Sequence, residues 1–219
     1  GTDRWRLFHS RRWLPNDHVE DVAVTAEGDV FVQTKEGVCR LSRKHWGSLE
    51  AKMDDIHATL REHHVRMGFI TEIVLNEPGA LDKGYVRESN DNDGLWTCLY
   101  IAAEAFRFGA TGDESARRNA WESLQTMFFL EEVTGIPGFA ARSVVPGDEP
   151  DPAKRYGGEW HKSADGKWWW KGDTSSDEVD GHYFACAIYY DIAATQEQKA
   201  RIREFVSRMT DHIIDHGYY

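Results

Sequence analysis

The chain has 219 residues, 41% of them hydrophobic and 29% charged, which is an ordinary composition for a globular protein. Its formal net charge of -11 argues against nonspecific nucleic-acid binding, because such binding relies on Lys and Arg side chains that neutralise phosphates. No run approaches the ~18 apolar residues of a membrane-spanning helix, and no signal-peptide pattern opens the chain. Since it begins at Gly1 and not at Met, we expect a processed protein or a fragment, and earlier removal of a signal peptide remains an alternative.

Residues 1–46 have the pattern of a small antiparallel β meander, like one blade of a propeller. Apolar and polar residues alternate over 18–25, and two more short β-rich runs follow at 30–34 and 38–41, separated by glycine-containing turns. Three such strands leave two unpaired edges and too little core for independent stability. We therefore expect this unit to pack against the rest of the chain.

A helical domain is predicted to occupy residues 47–219. Its first helix carries apolar residues at helical spacing, which predicts one buried stripe made of Leu49, Met53, Ile56 and Leu60. The next segment, 68–75, resembles a strand, and residues 85–86 resemble a short return strand. This region therefore predicts a helix followed by a small hairpin.

Four further helices follow, and they alternate between two kinds. Residues 95–108 and 182–193 are apolar on nearly every side, whereas 114–132 and the segment after the capping box of Thr195 and Gln198 are apolar on one side only. Helices of the first kind belong to an inner layer, and helices of the second kind to an outer layer. The alternation predicts a mainly α fold, a partial α/α toroid of helical hairpins preceded by the β meander. A closed toroid needs about twelve helices and this chain has five, so we expect an incomplete ring or a longer protein.

Three cysteines, Cys39, Cys98 and Cys186, have no metal-binding spacing, and an odd number is not a disulfide framework. Cys98 and Cys186 both lie in very apolar predicted helices. Small buried thiols are therefore expected in preference to a bridge between those two. The sequence leaves the redox compartment open.

Two acidic loops lead into the inner helices, so they are predicted to lie at the same end of the fold. The first loop contains Asp91 and Asp93, and the second contains Asp173, Asp177, Glu178, Asp180 and, where the helix starts, His182. Helix capping accounts for one or two such residues. The crowding of carboxylates also predicts either a functional cleft or a Ca²⁺ site, for which Asp91, Asp93 and Asp173 are the candidate ligands.

A long segment, 134–175, separates the first outer helix from the second inner one, and we expect a functional loop without regular structure there. It contains three consecutive Trp residues, whose flat rings suit the apolar faces of sugars. The candidate substrate-binding residues are Trp96, Arg142, Trp168, Trp170 and Lys171. Burial of the Trp rings in the core is the structural alternative, as are salt bridges from Arg142 and Lys171 to nearby carboxylates.

Two parts of the chain resemble known families. The run 13–41, with its GDVFVQTKEG core, resembles one repeat of the two-component-regulator type of β-propeller. The motifs DNDGLWT at 91–97, TGIPGFAAR at 134–142 and WKGDTSSDEVDGHY at 170–183 are similar to bacterial proteins that join such repeats to a helical toroid. Polysaccharide lyases and unsaturated glucuronyl hydrolases are related toroids. This chain departs from a whole member, because it holds one blade-like unit and fewer than half of the expected helices.

These patterns and the resemblance predict a secreted or periplasmic, glycan-active protein that cleaves an acidic, uronate-containing oligosaccharide or polysaccharide. In hydrolase chemistry Asp93 and Asp180 are the carboxyl pair, assisted by His182 or Tyr183. In lyase chemistry His182 or Tyr183 takes the C5 proton of the uronate, while Arg142 or a bound cation neutralises its carboxylate. The sequence does not choose between the two reactions.

A non-catalytic role is the alternative, in which the chain is an extracellular glycan-binding or self-assembling structural module. The unpaired edges of the meander and the missing helices favour it, because a second copy or the remainder of a longer chain would complete the ring. A cytosolic signalling adaptor is a third interpretation, suggested only by the propeller-like repeat. Whether the protein is an enzyme is therefore undecided at the level of sequence.

Overall fold

Helices dominate the fold in a computed structural model that describes residues 5–218. Within that range there are six α-helices: α1 (Leu49–His63), α2 (Asp93–Thr111), α3 (Glu114–Glu132), α4 (Ala153–Tyr156), α5 (Ser176–Ile192) and α6 (Gln196–Asp215). The strands are β1 (Val19–Val24), β2 (Val30–Thr34), β3 (Gly37–Leu41), β4 (Val65–Arg66), β5 (Phe69–Ile70), β6 (Ile73–Leu75), β7 (Tyr85–Arg87), β8 (Val144–Pro146), β9 (Trp160–Lys162) and β10 (Trp168–Lys171). All strand pairs are antiparallel. A mainly α fold with small antiparallel sheets is confirmed.

Strands β1, β2 and β3 form the predicted antiparallel meander, with β2 in the centre. Val32 of β2 points to the buried side together with Leu14 from the preceding segment, whereas every residue of β1 is exposed. The three predicted strands are thus present, and one face of the sheet supplies a small core. Residues 1–4 of the proposed 1–46 unit lie outside the described residues.

Helices α2 and α5 lie side by side and run parallel. Close approaches at three glycines occur in the same order along both helices: Gly94 meets Glu178, Gly181 meets Cys98, and Gly109 meets Ile192. Because the order is the same, both helices begin at the same end of the molecule. The prediction that the two apolar helices are neighbours with a shared starting edge is confirmed. We call this edge, formed by residues 88–95 and 171–178, the rim.

Each of these two helices is paired with an amphipathic helix, which gives the hairpins α2–α3 and α5–α6. The buried stripe of α3 is Ala116, Ala120, Leu124, Met127 and Phe128, and that of α6 is Ile202, Phe205 and Met209. Phe128 and Phe205 join the two hairpins, with ring centroids 4.9 Å apart. The capping box of Thr195 and Gln198 at the start of α6 is also confirmed. The predicted amphipathic helices therefore cover one side of the α2–α5 pair.

Helix α1 lies against α2 and runs antiparallel to it. Arg61, near the end of α1, reaches the Tyr100 hydroxyl at 3.4 Å, in the first half of α2. One turn earlier in α1, His57 Nε2 lies 3.0 Å from Glu104 Oε1, one turn later in α2. The two contacts show that α1 runs antiparallel to α2, in the same direction as α3.

The apolar stripe of α1 has the predicted helical spacing, but it is not buried, and that part of the prediction is wrong. Leu49, Met53 and Ile56 are 85%, 40% and 50% exposed, and no residue of α1 is buried. The stripe lines a groove of about 360 Å³ beside Tyr100 and Ala103 of α2. Among residues 5–218 no element fills this groove, so the apolar side of α1 faces outward.

The segment 134–175 contains the short elements β8, α4, β9 and β10, so the expectation of a loop without regular structure there is wrong. Strand β10 lies in the centre of a three-stranded sheet, and its Trp169 pairs with Val145 of β8 and Lys162 of β9. A run of three aromatic residues favours a strand, because their side chains pack well on a pleated surface. The sheet brings the end of β10 to the rim.

Cys98 and Cys186 are buried free thiols, as predicted, and Cys39 is a partly buried free thiol. Burial raises the pKa of Cys186 to about 12 and raises the pKa of Cys98 as well, so neither thiol is a reactive nucleophile. In the part of the chain that the structure describes, none of the helices combines the length and the apolar character required to cross a bilayer.

Candidate functional site

Both helices at the rim begin earlier than the sequence pattern predicted. Helix α2 starts at Asp93, and α5 starts at Ser176, about two turns before His182. Ser175 holds the extended backbone of a cap residue, with Asp177 and Glu178 in the first turn. Because the N-terminal end of a helix carries partial positive charge, it favours acidic side chains at these positions. Much of the second predicted acidic loop is therefore helix.

Two carboxyl groups, those of Asp93 and Glu178, are buried next to each other at the rim. Asp93 is fully buried and Glu178 is 1% exposed. Gly94 lies between them, and a Cβ atom at Gly94 would overlap Oε2 of Glu178. Within residues 5–218, Oδ1 of Asp93 and both carboxyl oxygens of Glu178 make no hydrogen bond of good geometry. Buried polar atoms without partners are costly, so this pair is unusual for a purely structural contact.

The two carboxyl groups differ in the pH at which they ionise. Burial raises the pKa of Glu178 to about 8, and repulsion from the carboxylates of Asp177 and Asp93 acts in the same direction, whereas the nearby Leu95 N–H and the charge of Arg142 oppose the rise. Burial also raises the pKa of Asp93 to about 6, although the Asn90 N–H and the charge of Arg66 oppose the rise. At neutral pH Glu178 therefore holds its proton, while Asp93 is mostly ionised. Such a separation is typical of a carboxyl pair with one acid and one base.

Arg66 of β4 is the cation that partners Asp93. Its Nη2 donates to Asp93 Oδ2 at 3.2 Å, and both terminal nitrogens donate to the Val144 carbonyl at 3.3 Å. The side chain is mostly buried, and its Nε has no partner among the described residues. Arg66 reaches this position from β4, the short strand that follows α1.

Lys171 and Arg142 form a second set of cations at the rim. Lys171 is 2% exposed, and its Nζ lies 2.5 Å from Asp91 Oδ1 and 3.8 Å from Asp173 Oδ2. Arg142 donates from Nε to the Asp91 carbonyl at 3.1 Å and from Nη1 to the Asp173 carbonyl at 3.0 Å. The two cations thus join the two rim loops, as the salt-bridge alternative predicted.

The three candidate calcium ligands face cations of the chain itself. Asp91 and Asp173 both face Lys171, Asp93 faces Arg66, and Asp173 is exposed at the edge of the rim. Over residues 5–218 no group of three or more His, Cys, Asp or Glu side chains is arranged to hold a metal ion. A calcium site formed by these residues stays a prediction from sequence.

The other predicted catalytic residues lie on α5, and their side chains point in three directions. Asp180 is exposed on the side of α5 away from α6, and Tyr183 is half-buried, with its hydroxyl 2.8 Å from Thr210 Oγ1 of α6. His182 is buried against Phe205, with ring centroids 5.8 Å apart. Burial lowers the pKa of His182 to about 4, so the imidazole is neutral at pH 7. It is therefore Glu178, and not Asp180, that lies beside Asp93.

The predicted sugar-binding Trp residues lie mainly in packed positions. Trp168 packs edge-on against Phe129 at 5.1 Å, and Trp170 is 8% exposed, with its ring 4.4 Å from that of His161. Trp96 is half-buried in the first turn of α2. The structural alternative, in which the Trp rings belong to the core, describes Trp168 and Trp170 well.

A different pair of aromatic residues lies over the rim. Helix α4 and the residues after it place Tyr156 and Trp160 together, with ring centroids 6.0 Å apart. Arg155 pairs with Glu88 at 2.5 Å, which ties this segment to the loop before α2. Gly158 contacts the Lys171 side chain so closely that a Cβ atom there would overlap it. Residues 153–160 thus cover the charged side of the rim.

Glu178 belongs to the predicted acidic loop but was not chosen as a candidate catalytic residue, and Arg66 and the residues of the cover were not among the candidate site residues either. For Glu178 a signal exists: residues 178, 182, 185 and 189 continue one buried stripe of α5 backwards at helical spacing. The predicted helix began at His182, so Glu178 was left outside it and the stripe was not recognised. For Arg66 and the cover no local signal exists, because their partners lie 27 and 67 residues away along the chain.

Comparison of the chain with protein-family models, with curated proteins and with solved structures finds no match.

Proposed function

We propose that this chain is part of an α/α toroid that acts on an acidic glycan at the rim, in a secreted or periplasmic setting. The toroid interpretation is supported by two side-by-side hairpins whose apolar helices run parallel, and by α1 in the orientation of a third outer helix. The glycan interpretation is supported by the rim, where charge, aromatic surface and paired carboxyl groups meet.

The observation that carries the proposal is the buried pair Asp93 and Glu178. A glycoside hydrolase needs one carboxyl group that donates a proton to the leaving oxygen and one that acts as base or nucleophile. A general acid works best when its pKa lies near the working pH. Glu178, with a pKa of about 8, is protonated at neutral pH and takes the acid role. Asp93, with a pKa of about 6, takes the basic role.

The cations of the rim supply recognition of an acidic sugar. Arg142 and Lys171 hold the rim loops through the carbonyl and carboxylate oxygens of Asp91 and Asp173. A uronate carboxylate has the same chemistry as the carboxylate of Asp91, and Arg and Lys bind it through charge-assisted hydrogen bonds. In this proposal the uronate replaces Asp91 on Lys171, and the rim opens to expose Asp93 and Glu178 to the sugar. Tyr156 and Trp160 stack on the sugar ring.

A lyase reaction makes a different demand on the same residues. Abstraction of the C5 proton needs a base next to the sugar and a cation on the uronate carboxylate. In the lyase form of the proposal Asp93 is the base and Arg142 the cation, because His182 and Tyr183, the bases predicted from sequence, face the core and α6. Hydrolase and lyase chemistry remain two forms of one proposal, and the products distinguish them.

The experiment is incubation of the protein with a panel of uronate polysaccharides. Lyase chemistry gives an unsaturated product that absorbs in the ultraviolet, whereas hydrolysis gives new reducing ends without that absorbance. The Glu178→Gln and Asp93→Asn variants should lower either rate by about 100-fold or more. Asp180→Asn is the matched control, because Asp180 is an exposed carboxylate on the same helix. Full activity in Glu178→Gln with loss in Asp180→Asn would reverse the assignment, and no product on any uronate substrate would reject cleavage.

A non-catalytic glycan-binding module is the second candidate. It is favoured by the near-complete burial of Asp93 and Glu178 and by the pairing of Lys171 with the chain's own Asp91. Calorimetric titration with uronate oligosaccharides separates the candidates. Saturable binding that is weakened by Arg142→Gln, with no product formed, supports the module.

A further inference from the structure

We propose that the C-terminal end of α6 binds one divalent transition-metal ion through the imidazoles of His212 and His216. The two histidines are four positions apart, so they lie on the same side of the helix. Their rings are stacked, with centroids 4.0 Å apart and planes 27° from parallel. Neither residue contributes to the proposed reaction at the rim, so the two proposals are independent.

The separation of the two rings suits a single ion. Zinc holds imidazole nitrogens at about 2.0–2.1 Å, so two such nitrogens in tetrahedral geometry are about 3.4 Å apart. Histidines at positions i and i+4 on one helix face supply a pair of this kind. Because the ring centroids are already 4.0 Å apart, small side-chain rotations bring one nitrogen of each ring to the same ion.

A hydrogen bond prepares His216 as a ligand. Its Nδ1 lies 2.7 Å from the backbone carbonyl oxygen of His212. Because a carbonyl oxygen only accepts, Nδ1 of the neutral imidazole carries the hydrogen, and the free lone pair is on Nε2. Histidines that bind a metal ion typically donate their other ring N–H in this way, which fixes the tautomer and the orientation of the ring.

The loop after α3 restrains His212 from the other side. His212 is half-buried, and its ring centroid lies 5.7 Å from that of Phe139. Gly138 approaches so closely that a Cβ atom there would lie 2.6 Å from the Cβ of His212. A side chain that is already restrained loses less entropy when it binds, and this favours the ion.

The charges around the two imidazoles also favour a cation. Asp211 and Asp215 are exposed and line the same pocket of about 420 Å³. The C-terminal end of a helix carries partial negative charge, which acts in the same direction. Arg208 lines the pocket too, but its guanidinium is paired with Glu131 through two contacts of 2.6 Å. The charge beside the histidine pair is therefore negative.

The ligand type selects the class of metal. Imidazole suits zinc, nickel and copper, whereas calcium and magnesium prefer oxygen ligands. Over residues 5–218 no third His, Cys, Asp or Glu completes a metal-binding group, so water fills the remaining positions. We therefore expect one ion per chain, held less tightly than in a closed site with four protein ligands.

Calorimetric titration with zinc chloride, and separately with nickel chloride, tests the site. The wild type should bind one ion per chain. His212→Gln and His216→Gln should each bind about 100-fold more weakly, because the second imidazole acts at high effective concentration only when both are present. His45→Gln is the matched control, since His45 is an exposed histidine of another segment, and it should bind like the wild type. A wild type that binds neither ion, or binding that both α6 variants retain, overturns the proposal.

A change of spacing separates chelation from the mere number of histidines. The double variant Ile214→His with His216→Ile keeps two histidines but puts them two positions apart, where they no longer face each other. Ile214 is 50% exposed, so the exchange adds no buried group, and unchanged circular dichroism shows that the helix is retained. This variant should bind as weakly as His216→Gln. Binding as tight as that of the wild type would reject chelation by the pair.

Discussion

Gly94 of α2 and Glu178 of α5 approach so closely that there is no room for a methyl group between them. In a helix, replacement of Gly by Ala normally stabilises by about 1 kcal/mol, because glycine loses more backbone entropy on folding. Here the new Cβ would overlap a buried carboxyl group that cannot move into solvent. The contact therefore reverses the usual sign of a Gly→Ala replacement.

We expect Gly94→Ala to destabilise the protein by about 1–3 kcal/mol, the usual cost of overpacking a core. Urea unfolding followed by circular dichroism measures the difference. In the background of Glu178→Ala, which removes the overlapping carboxyl group, the same replacement should become neutral or stabilising. Equal costs in the two backgrounds would show that the two residues do not contact each other in the folded protein.

The raised pKa of Glu178 predicts a loss of stability with increasing pH. The pKa rises from an ordinary 4.5 to about 8 on folding, so the folded state binds the proton more tightly. Stability from this group is fully present below about pH 4.5 and is lost as the pH rises towards 8. Asp93 acts in the same direction between about pH 3.8 and 6. His182, whose pKa falls from 6.5 to about 4, acts in the opposite direction over that interval.

Glu178→Gln removes the ionisation while keeping the shape of the side chain. The variant should match the wild type near pH 4.5 and exceed it at pH 8, by an amount on the order of a few kcal/mol. Melting temperatures of both proteins measured from pH 5 to pH 9 give the comparison. The control is Glu27→Gln, at an exposed position of the meander, which should follow the wild-type profile. Parallel profiles for Glu178→Gln and the wild type would mean that the carboxyl group is solvated.

The ion pair of Arg66 and Asp93 is mostly withdrawn from solvent. Replacement of Arg66 by Met should cost about 3–5 kcal/mol near pH 8, because it leaves a buried carboxylate without its cation. The cost should be smaller at pH 5, where Asp93 can take up a proton instead. Urea unfolding at the two pH values provides the measurement.

The double variant Arg66→Met with Asp93→Asn should recover much of that stability, since no buried charge is then left alone. Lys167→Met is the matched control, because Lys167 pairs with Asp165 at 3.6 Å on the surface, where both side chains are mostly exposed. Its unfolding midpoint should be close to that of the wild type. An Arg66→Met variant that is as stable as Lys167→Met contradicts a buried ion pair.

Gly138 is predicted to tolerate no side chain. Its φ is +78°, and a Cβ atom there would overlap the backbone carbonyl of Arg208 in α6. Gly138→Ala should therefore cost about 3–4 kcal/mol, from the left-handed backbone together with the displacement of α6. Gly135 has a similar φ of +68° but open space around it, so Gly135→Ala should cost only about 1–2 kcal/mol. Equal melting temperatures for the two variants would show that the loop after α3 does not touch α6.

The hydrophobic period was enough to predict helices α2, α3, α5 and α6, because each of them buries one or more sides against near neighbours. The stripes of α3 and α6 and the all-round apolar character of α2 are examples. The sequence predicted that α2 and α5 begin at the same end of the fold, but it did not predict which carboxyl groups lie together there. Asp93 was identified from its loop, whereas Asp180 was chosen in place of Glu178, because the predicted helix began at His182 and α5 begins at Ser176.

The remaining differences between the predictions and the structure have a common physical cause, which is contact between residues that are distant in the sequence. Arg66 meets Asp93 and Val144 only after the chain folds, and residues 153–160 meet the rim through Arg155 and Glu88. Leu49 and Met53 have the spacing of a buried stripe, but spacing does not reveal whether another element is available to cover it.

The three glycines at the contact between α2 and α5 restrict how far either helix can slide along the other. Each allows the backbones to approach at one height only, since the residues on either side of it carry side chains. A slip of one helical turn, about 5.4 Å, would push Leu95 and Ile192 into space that hydrogen atoms alone now occupy. The proton held by Glu178 is thus kept at the level of Asp93 by residues that have no side chains of their own.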